Sequence, residues 1–162
     1  MAAVIIALGS NLGDPLSQLK KAKEFLSSIS ESSILCSPIY ASEPVGPSEN
    51  DFLNAIISIE INKNPEELIE LLNAQEKRQG RPSRYPKWTA RTLDLDIIAY
   101  DDLVLQTDTL IIPHSEYTQR LFVLLPLNDV FPNWKDPKTA HSISELIEKA
   151  PTLKISKTQL NW

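Results

Sequence analysis

The sequence predicts an α+β fold in which helices cover both faces of an antiparallel sheet. Three observations predict it. Apolar or alternating runs at 3–8, 34–41, 53–61 and 93–100 have the period and length of strands. Two segments, one after Asp14-Pro15 and one after Asn64-Pro65, repeat apolar residues at helical spacing behind an N-cap. Their order, β-α-β-β-α-β, is the split pattern of a ferredoxin-like core. The strands are too apolar for a sheet with one face in water. Further helical stretches at 120–130 and 142–149 supply the cover, giving three layers, α/β/α.

Ala3 to Leu8 is an apolar run closed by Gly9-Ser10-Asn11, a buried strand and its turn. Asp14 caps the first helix and Pro15 occupies its first position. Leu16, Leu19, Ala22, Leu26 and Ile29 share one face, so this helix extends to about Ser28. Ile34 to Ala41 reads as the second strand and Leu53 to Ile61 as the third. Asn64 and Glu67 have capping-box spacing at the start of the second helix, Leu68, Leu71 and Leu72 form its buried stripe, and Gly80 stops it. The fourth strand follows at 93–100, then a short strand at 110–112. Two connections are long, Ser42 to Phe52 and Arg81 to Ala90. Loops of that length are often functional lids, and Tyr85 and Trp88 suit a segment that covers something.

The composition narrows the function classes. A chain of 162 residues with 42% hydrophobic and 23% charged residues is expected to form one domain, 1–162, around one sizeable core. The single cysteine, Cys36, has no partner within the chain, which favours a reducing, cytoplasmic setting. The first residues lack the basic flank of a signal peptide, and no apolar run reaches membrane-spanning length. A net charge of −5 argues against general nucleic-acid binding, which needs a broad positive surface.

Arg91-Thr92-Leu93-Asp94-Leu95-Asp96-Ile97-Ile98 carries the chemistry. Residues two apart on a strand leave the same face, so Asp94 and Asp96 stand side by side while Leu93, Leu95 and Ile97 enter the core. Two crowded carboxylates repel unless a cation lies between them. Mg²⁺ is satisfied by one or two carboxylates together with water and phosphate. The plainer alternative is a pair of solvated aspartates. Against it stand Lys77, Arg78, Arg81, Arg84, Lys87 and Arg91, six of the sixteen basic residues, with no acidic residue among them. Carboxylates for a metal beside guanidinium groups for phosphate oxygens are what a metal-bound polyphosphate requires.

These residues, with Leu8-Gly9-Ser10-Asn11-Leu12-Gly13, Glu43-Pro44-Val45-Gly46-Pro47, Phe52-Leu53-Asn54-Ala55, Gln79-Gly80-Arg81, Trp88, Pro113-His114, Arg120 and Phe122, occur in an order and spacing that resembles the 6-hydroxymethyl-7,8-dihydropterin pyrophosphokinases. The resemblance implies transfer of pyrophosphate from ATP to the hydroxymethyl group of a reduced pterin, releasing AMP, in folate biosynthesis. It implies that Asp94 and Asp96 hold two Mg²⁺ ions and that Arg81 and Arg91 act in catalysis on the triphosphate. Glu76, Arg84, Trp88, Arg91, Ile97, His114 and Arg120 correspond to its ATP-binding positions. Ser42, Val45, Phe52, Asn54 and Phe122 correspond to its pterin-binding positions, with the phenylalanines as stacking faces and Asn54 reading the ring edge.

The chain departs from the family at Thr89-Ala90, where glycine and proline are frequent, at Phe52 for tyrosine, and at Ser115 for an aromatic. No residue presents itself as a general base. The expected partners are ATP and the reduced hydroxymethylpterin, with no nucleic acid and no membrane, and the expected state is a monomer. Two rivals remain at this point: a nucleotidyl transferase on the same fold, and a non-catalytic ligand sensor or RNA-binding module.

Overall fold

The computed structural model describes residues 1–44, 50–80 and 93–162. Its strands are β1 Ala2–Ser10, β2 Leu35–Cys36, β3 Tyr40–Ser42, β4 Phe52–Ile61, β5 Asp94–Tyr100, β6 Leu105–Gln106, β7 Ile111–Ile112 and β8 Ile155–Lys157. The helices are α1 Pro15–Ile29, α2 Pro65–Arg78, α3 Leu121–Val130 and α4 Ile143–Lys149. Among the described residues the main sheet has the order β5-β1-β4-β3-β8, with β2 also on β4, and its pairings are antiparallel.

Alternation along β1 explains why both faces are covered. Val4, Ile6 and Leu8 point to one side, where they meet Leu19, Ala22 and Leu26 of α1 and Leu68 and Leu72 of α2. Ile5 and Ala7 point to the other, where Val123, Leu124 and Leu127 of α3 and Ile143 and Leu146 of α4 close a second core. A strand buried on both sides has no polar face, which is why its sequence is an unbroken apolar run. The helices begin as their sequences require. Asp14 accepts a hydrogen bond from the Ser17 amide at 3.2 Å, and Asn64 and Glu67 form a reciprocal capping box.

Three features differ from the expectation. The stretch 34–41 is two strands, because Ser37, Pro38 and Ile39 interrupt the ladder. Cys36 faces Ile57 whereas Tyr40 faces Asn54, so the register shifts by one residue between them. Pro38 has no N–H to give. The Ser37 hydroxyl instead accepts from the Ile56 amide at 2.8 Å, and the Ser37 carbonyl accepts from the Trp162 indole at 2.9 Å. The strand β8, which extends the sheet beside β3, and β6, which pairs with β7, were not expected from the sequence.

The turn leading into α3 is anchored from the stretch that follows this helix. The buried Tyr117 hydroxyl donates to Asp136 Oδ2, while Asp136 Oδ1 accepts from the amides of Lys138 at 2.7 Å and Thr139 at 2.9 Å. Burial pushes the Asp136 carboxyl up, but the Tyr117 hydroxyl and those amides outweigh it and hold the carboxyl below its ordinary 3.8. A carboxyl depressed in the folded state adds stability above its unfolded pKa of about 3.9, and the contribution is lost as pH falls through the lower folded value. Tyr117→Phe should therefore cost about 1–3 kcal/mol at neutral pH by urea unfolding. The difference from the parent should shrink below about pH 4, as Asp136 is protonated.

Candidate active site

The site is built on the register of three strands. Gly9 of β1 faces Asp94 of β5 on one side and Asn54 of β4 on the other. Ala7, one row further, faces Asp96 and Ile56. Leu93, Leu95 and Ile97 enter the core shared with α1 and α2, so Asp94 and Asp96 leave β5 on the opposite face, as the alternation predicts. Strands lie about 4.8 Å apart, which puts the backbones of Asp94 and Asn54 roughly 10 Å from each other across Gly9.

The glycine keeps that span open. A Cβ at Gly9 would sit 3.5 Å from Asn54 Oδ1 and 3.7 Å from Phe52 Cδ1, within the same recess. Asn54, only 3% exposed, donates from Nδ2 to Ser42 Oγ at 2.8 Å. That bond fixes the amide, with Oδ1 turned toward Gly9. Phe52 lies opposite Ser42 and is half-buried, so one wall of the recess is aromatic and its end is a fixed amide. Asn11, buried at the end of β1's turn, donates to the Asn50 carbonyl at 3.0 Å and holds the chain just before Phe52.

At the other end the carboxylate strand is an edge strand and needs support. Glu76 of α2, 5% exposed, accepts from the Leu95 amide at 2.8 Å through Oε2. Leu95 lies between the two aspartates, so Glu76 fixes the peptide from which both project. Ile97 is buried in the core behind the strand, and what it can offer a ligand is its backbone.

His114 and Arg120 arrive from the turn after β7. The His114 amide donates to the Ile98 carbonyl at 2.9 Å, which joins this turn to β5. Its Nδ1 accepts from the Glu116 amide at 3.1 Å, so the neutral imidazole carries its proton on Nε2. Burial, then the Arg120 charge, push the imidazole's pKa down from 6.5, against the opposing pull of Glu116 and Asp94. The shift favours the neutral imidazole. Arg120 Nη2 meets Glu116 Oε2 at 2.6 Å, and its guanidinium carbon lies 5.6 Å from the centre of the Phe122 ring.

The structure thus brings Ser42, Phe52, Asn54, Asp94, Asp96, His114, Arg120 and Phe122 to the face of the sheet that α3 covers, with Glu76 behind the carboxylates. Val45, Arg81, Arg84, Trp88 and Arg91 lie outside the described residues. Among the described residues no three His, Cys, Asp or Glu side chains gather tightly enough to enclose a metal ion. Two half-buried carboxylates side by side still fit Mg²⁺, which takes few protein ligands and completes its shell with water and phosphate. The sequence reading gave no role to Gly9, Asn11 or Glu116. The Gly9-Ser10-Asn11 signal was visible as a turn and as part of the family resemblance, neither of which says what these residues do.

The family model for 7,8-dihydro-6-hydroxymethylpterin-pyrophosphokinase (HPPK) matches residues 5–132. A 2-amino-4-hydroxy-6-hydroxymethyldihydropteridine pyrophosphokinase of Synechocystis is 38% identical over 146 residues, covering 90% of this chain and 74% of that protein. A Haemophilus influenzae protein of the same name is 36% identical over 159 residues, covering 97% and 98%. The crystal structure of Plasmodium falciparum HPPK-DHPS shares the fold, with a TM-score of 0.68 at 16% identity over 92% of this chain. This chain spans 43% of that solved chain. With its carboxylate strand, glycine-floored recess and fixed amide in place, the chain belongs to the 7,8-dihydro-6-hydroxymethylpterin-pyrophosphokinase family.

Proposed function

We propose that this protein transfers pyrophosphate from ATP to the hydroxymethyl group of 6-hydroxymethyl-7,8-dihydropterin, releasing AMP, as a step of folate biosynthesis. The observation that carries this reading is the row Asp94–Gly9–Asn54, which sets a carboxylate pair and a ring-reading amide on one floor with a residue that has no side chain between them. A flat bicyclic substrate lies over Gly9 with its edge on Asn54 and its hydroxymethyl arm toward the aspartates. Phe52 and Phe122 supply the ring faces. Ser42 holds the amide, and the backbone near Val45 completes the edge.

The hydroxymethyl oxygen attacks the β-phosphorus, the bond from that phosphorus to the α–β bridging oxygen breaks, and AMP leaves with the bridging oxygen. The hydroxyl proton passes to solvent. Asp94 and Asp96 are the residues that would hold two Mg²⁺ ions, which when bound neutralise phosphate charge. His114 offers an N–H without adding charge, and Arg120 offers a cation. Glu76 steadies the carboxylate strand, and the Ile97 backbone borders the nucleotide. Arg81, Arg84 and Arg91, with Trp88, complete the nucleotide side from the stretch 81–92. Catalysis is then mostly positioning and charge neutralisation, which fits a site without a general base.

The sheet order β5-β1-β4-β3 is read as a ferredoxin-like core in one domain, 1–162. No helix among the described residues is long and apolar enough to cross a membrane. We place the enzyme in the cytoplasm as a monomer, on its acidic charge and single cysteine. A nucleotidyl transferase has no use for a fixed amide beside an aromatic wall, and a basic RNA-binding surface is at odds with a net charge of −5.

With Mg-ATP and the reduced pterin, phosphorus NMR should show AMP and a pterin diphosphate. Free pyrophosphate with an adenylylated product would identify the nucleotidyl transferase instead. Asp94→Ala should lower kcat by at least about 10²-fold, the scale of losing a principal electrostatic group. Near-normal turnover in that variant would remove the metal role. Gly9→Ala adds a methyl group at ordinary contact distance, so the variant should fold with an unchanged melting temperature. Its KM for the pterin should nevertheless rise about tenfold or more, since Å-scale displacement of a reactant is costly. An unchanged pterin KM would show that the ring does not lie on β1.

A further inference from the structure

Glu116 is half-exposed on the turn between β7 and α3, and no role was assigned to it. It makes two contacts that converge on the nucleotide side of the site. Its backbone amide donates to His114 Nδ1 at 3.1 Å, and its carboxylate meets Arg120 Nη2 at 2.6 Å. The turn that allows both is tight. The Gln119 amide bonds back to the Glu116 carbonyl and the Arg120 amide to the Tyr117 carbonyl, which places Arg120 one turn above Glu116. Tyr117, between them, is locked to Asp136.

We propose that Glu116 is a positioning residue for nucleotide binding: its amide turns the Nε2–H of His114 toward the phosphates, and its carboxylate holds Arg120 against Phe122 where the phosphates will meet it. This rests on the assignment of His114 and Arg120 to the nucleotide.

Two physical considerations favour positioning over competition for Arg120. A guanidinium carries five N–H donors in one rigid plane, and a carboxylate engages two of them at most, so the pair orients the group without exhausting it. Arginine also has many rotamers, and freezing them is a cost of binding unless the free protein has done so already. Here the side chain is 14% exposed, with Glu116 at its head and the Phe122 ring at 5.6 Å. The Glu116 side chain is 44% exposed, so the pair is too wet to matter much for folding. Its consequence falls on the ligand. Because Phe122 is also the proposed stacking face for the pterin, the same carboxylate sets the boundary between the two substrates.

The test is calorimetric binding of Mg²⁺ with α,β-methylene-ATP, which cannot turn over. Glu116→Ala should raise Kd about three- to tenfold, as expected when one long side chain must be ordered on binding. Its melting temperature and its kcat at saturating ATP should be retained. Glu116→Gln, which keeps an acceptor and loses the charge, should fall between. In nitrogen NMR of the imidazole, both parent and Glu116→Ala should show His114 protonated on Nε2, because the amide is untouched. Equal or tighter binding by Glu116→Ala would overturn the carboxylate's role, and an Nδ1-protonated His114 in the parent would overturn the amide's. Arg120→Ala serves as the control on the underlying reading. If it binds as tightly as the parent, Arg120 is no nucleotide residue, and the assignment on which this proposal rests fails with it. If it binds weakly while Glu116→Ala does not, the positioning role alone fails.

Discussion

β1 is hydrogen-bonded on both sides, to β4 and to β5, and the candidate site exists only in that double register. It puts Gly9 between Asp94 and Asn54, and it decides which face of β5 carries the carboxylates. A slip of one residue would drive Asp94 and Asp96 into the core and bring Leu93, Leu95 and Ile97 out. Re-exposing each of those side chains costs about 1.5–3 kcal/mol. That total rivals the 5–15 kcal/mol by which a domain is usually stable, before the buried carboxylates are counted. The register that places the chemistry is thus set by apolar residues on the other side of the sheet. Beyond the aspartates the ladder gives way: Ile6 faces Ile97 but Ile5 faces Ala99, so a bulge at Ile98 ends the strict alternation. Ile98 and Ala99 then both join the second core.

The electrostatics follow from the same placement. Two carboxylates on one face of an edge strand repel each other. Arg120, just ahead of α3, brings a positive group to that face from a distant part of the sequence. Glu76, a third carboxylate close behind, is spent differently. It accepts a hydrogen bond from the Leu95 amide, an edge-strand donor, and a carboxylate bonded to backbone in this way fixes the strand's geometry.

Much of this was legible in the sequence because it is local. The period of two through Leu93 to Ile97 predicts the face of each aspartate, and the Asp14 and Asn64 caps predict both helix starts. The isoleucine-rich β4 predicts a strand buried on both sides. What was not legible depends on contacts between distant segments. β8 is three residues long and is a strand only because β3 lies beside it. The division of 34–41 turns on the Ser37 hydroxyl, which takes the Ile56 amide, a contact no local pattern encodes. Glu116 looks like any surface glutamate until the turn brings its two bonding groups to His114 and Arg120. The family resemblance pointed to His114 and Arg120 but not to what holds them. It also pointed to Ile97, whose side chain faces away from the aspartates.

The site divides into a part carried by strands and a part carried by turns, and the division matches the demands of the reaction. Asp94, Asp96, Asn54 and the Gly9 floor are fixed by a sheet packed on both faces, so the separation between the carboxylates and the amide is as rigid as the core. That rigidity suits an in-line transfer, in which an error of about 1 Å between reacting atoms is expensive. His114, Arg120 and Phe122 come from a turn and a helix start. They are held by hydrogen bonds, one ion pair and the Tyr117–Asp136 anchor, and are not threaded into the sheet. Contacts of that kind can yield by fractions of an ångström without disturbing the core. A triphosphate is long and flexible and must be gripped at several oxygens, whereas a pterin is flat and stiff. On the proposed assignment, His114 and Arg120, from the adaptable side, meet the flexible triphosphate, while Gly9 and Asn54, from the rigid side, meet the flat pterin.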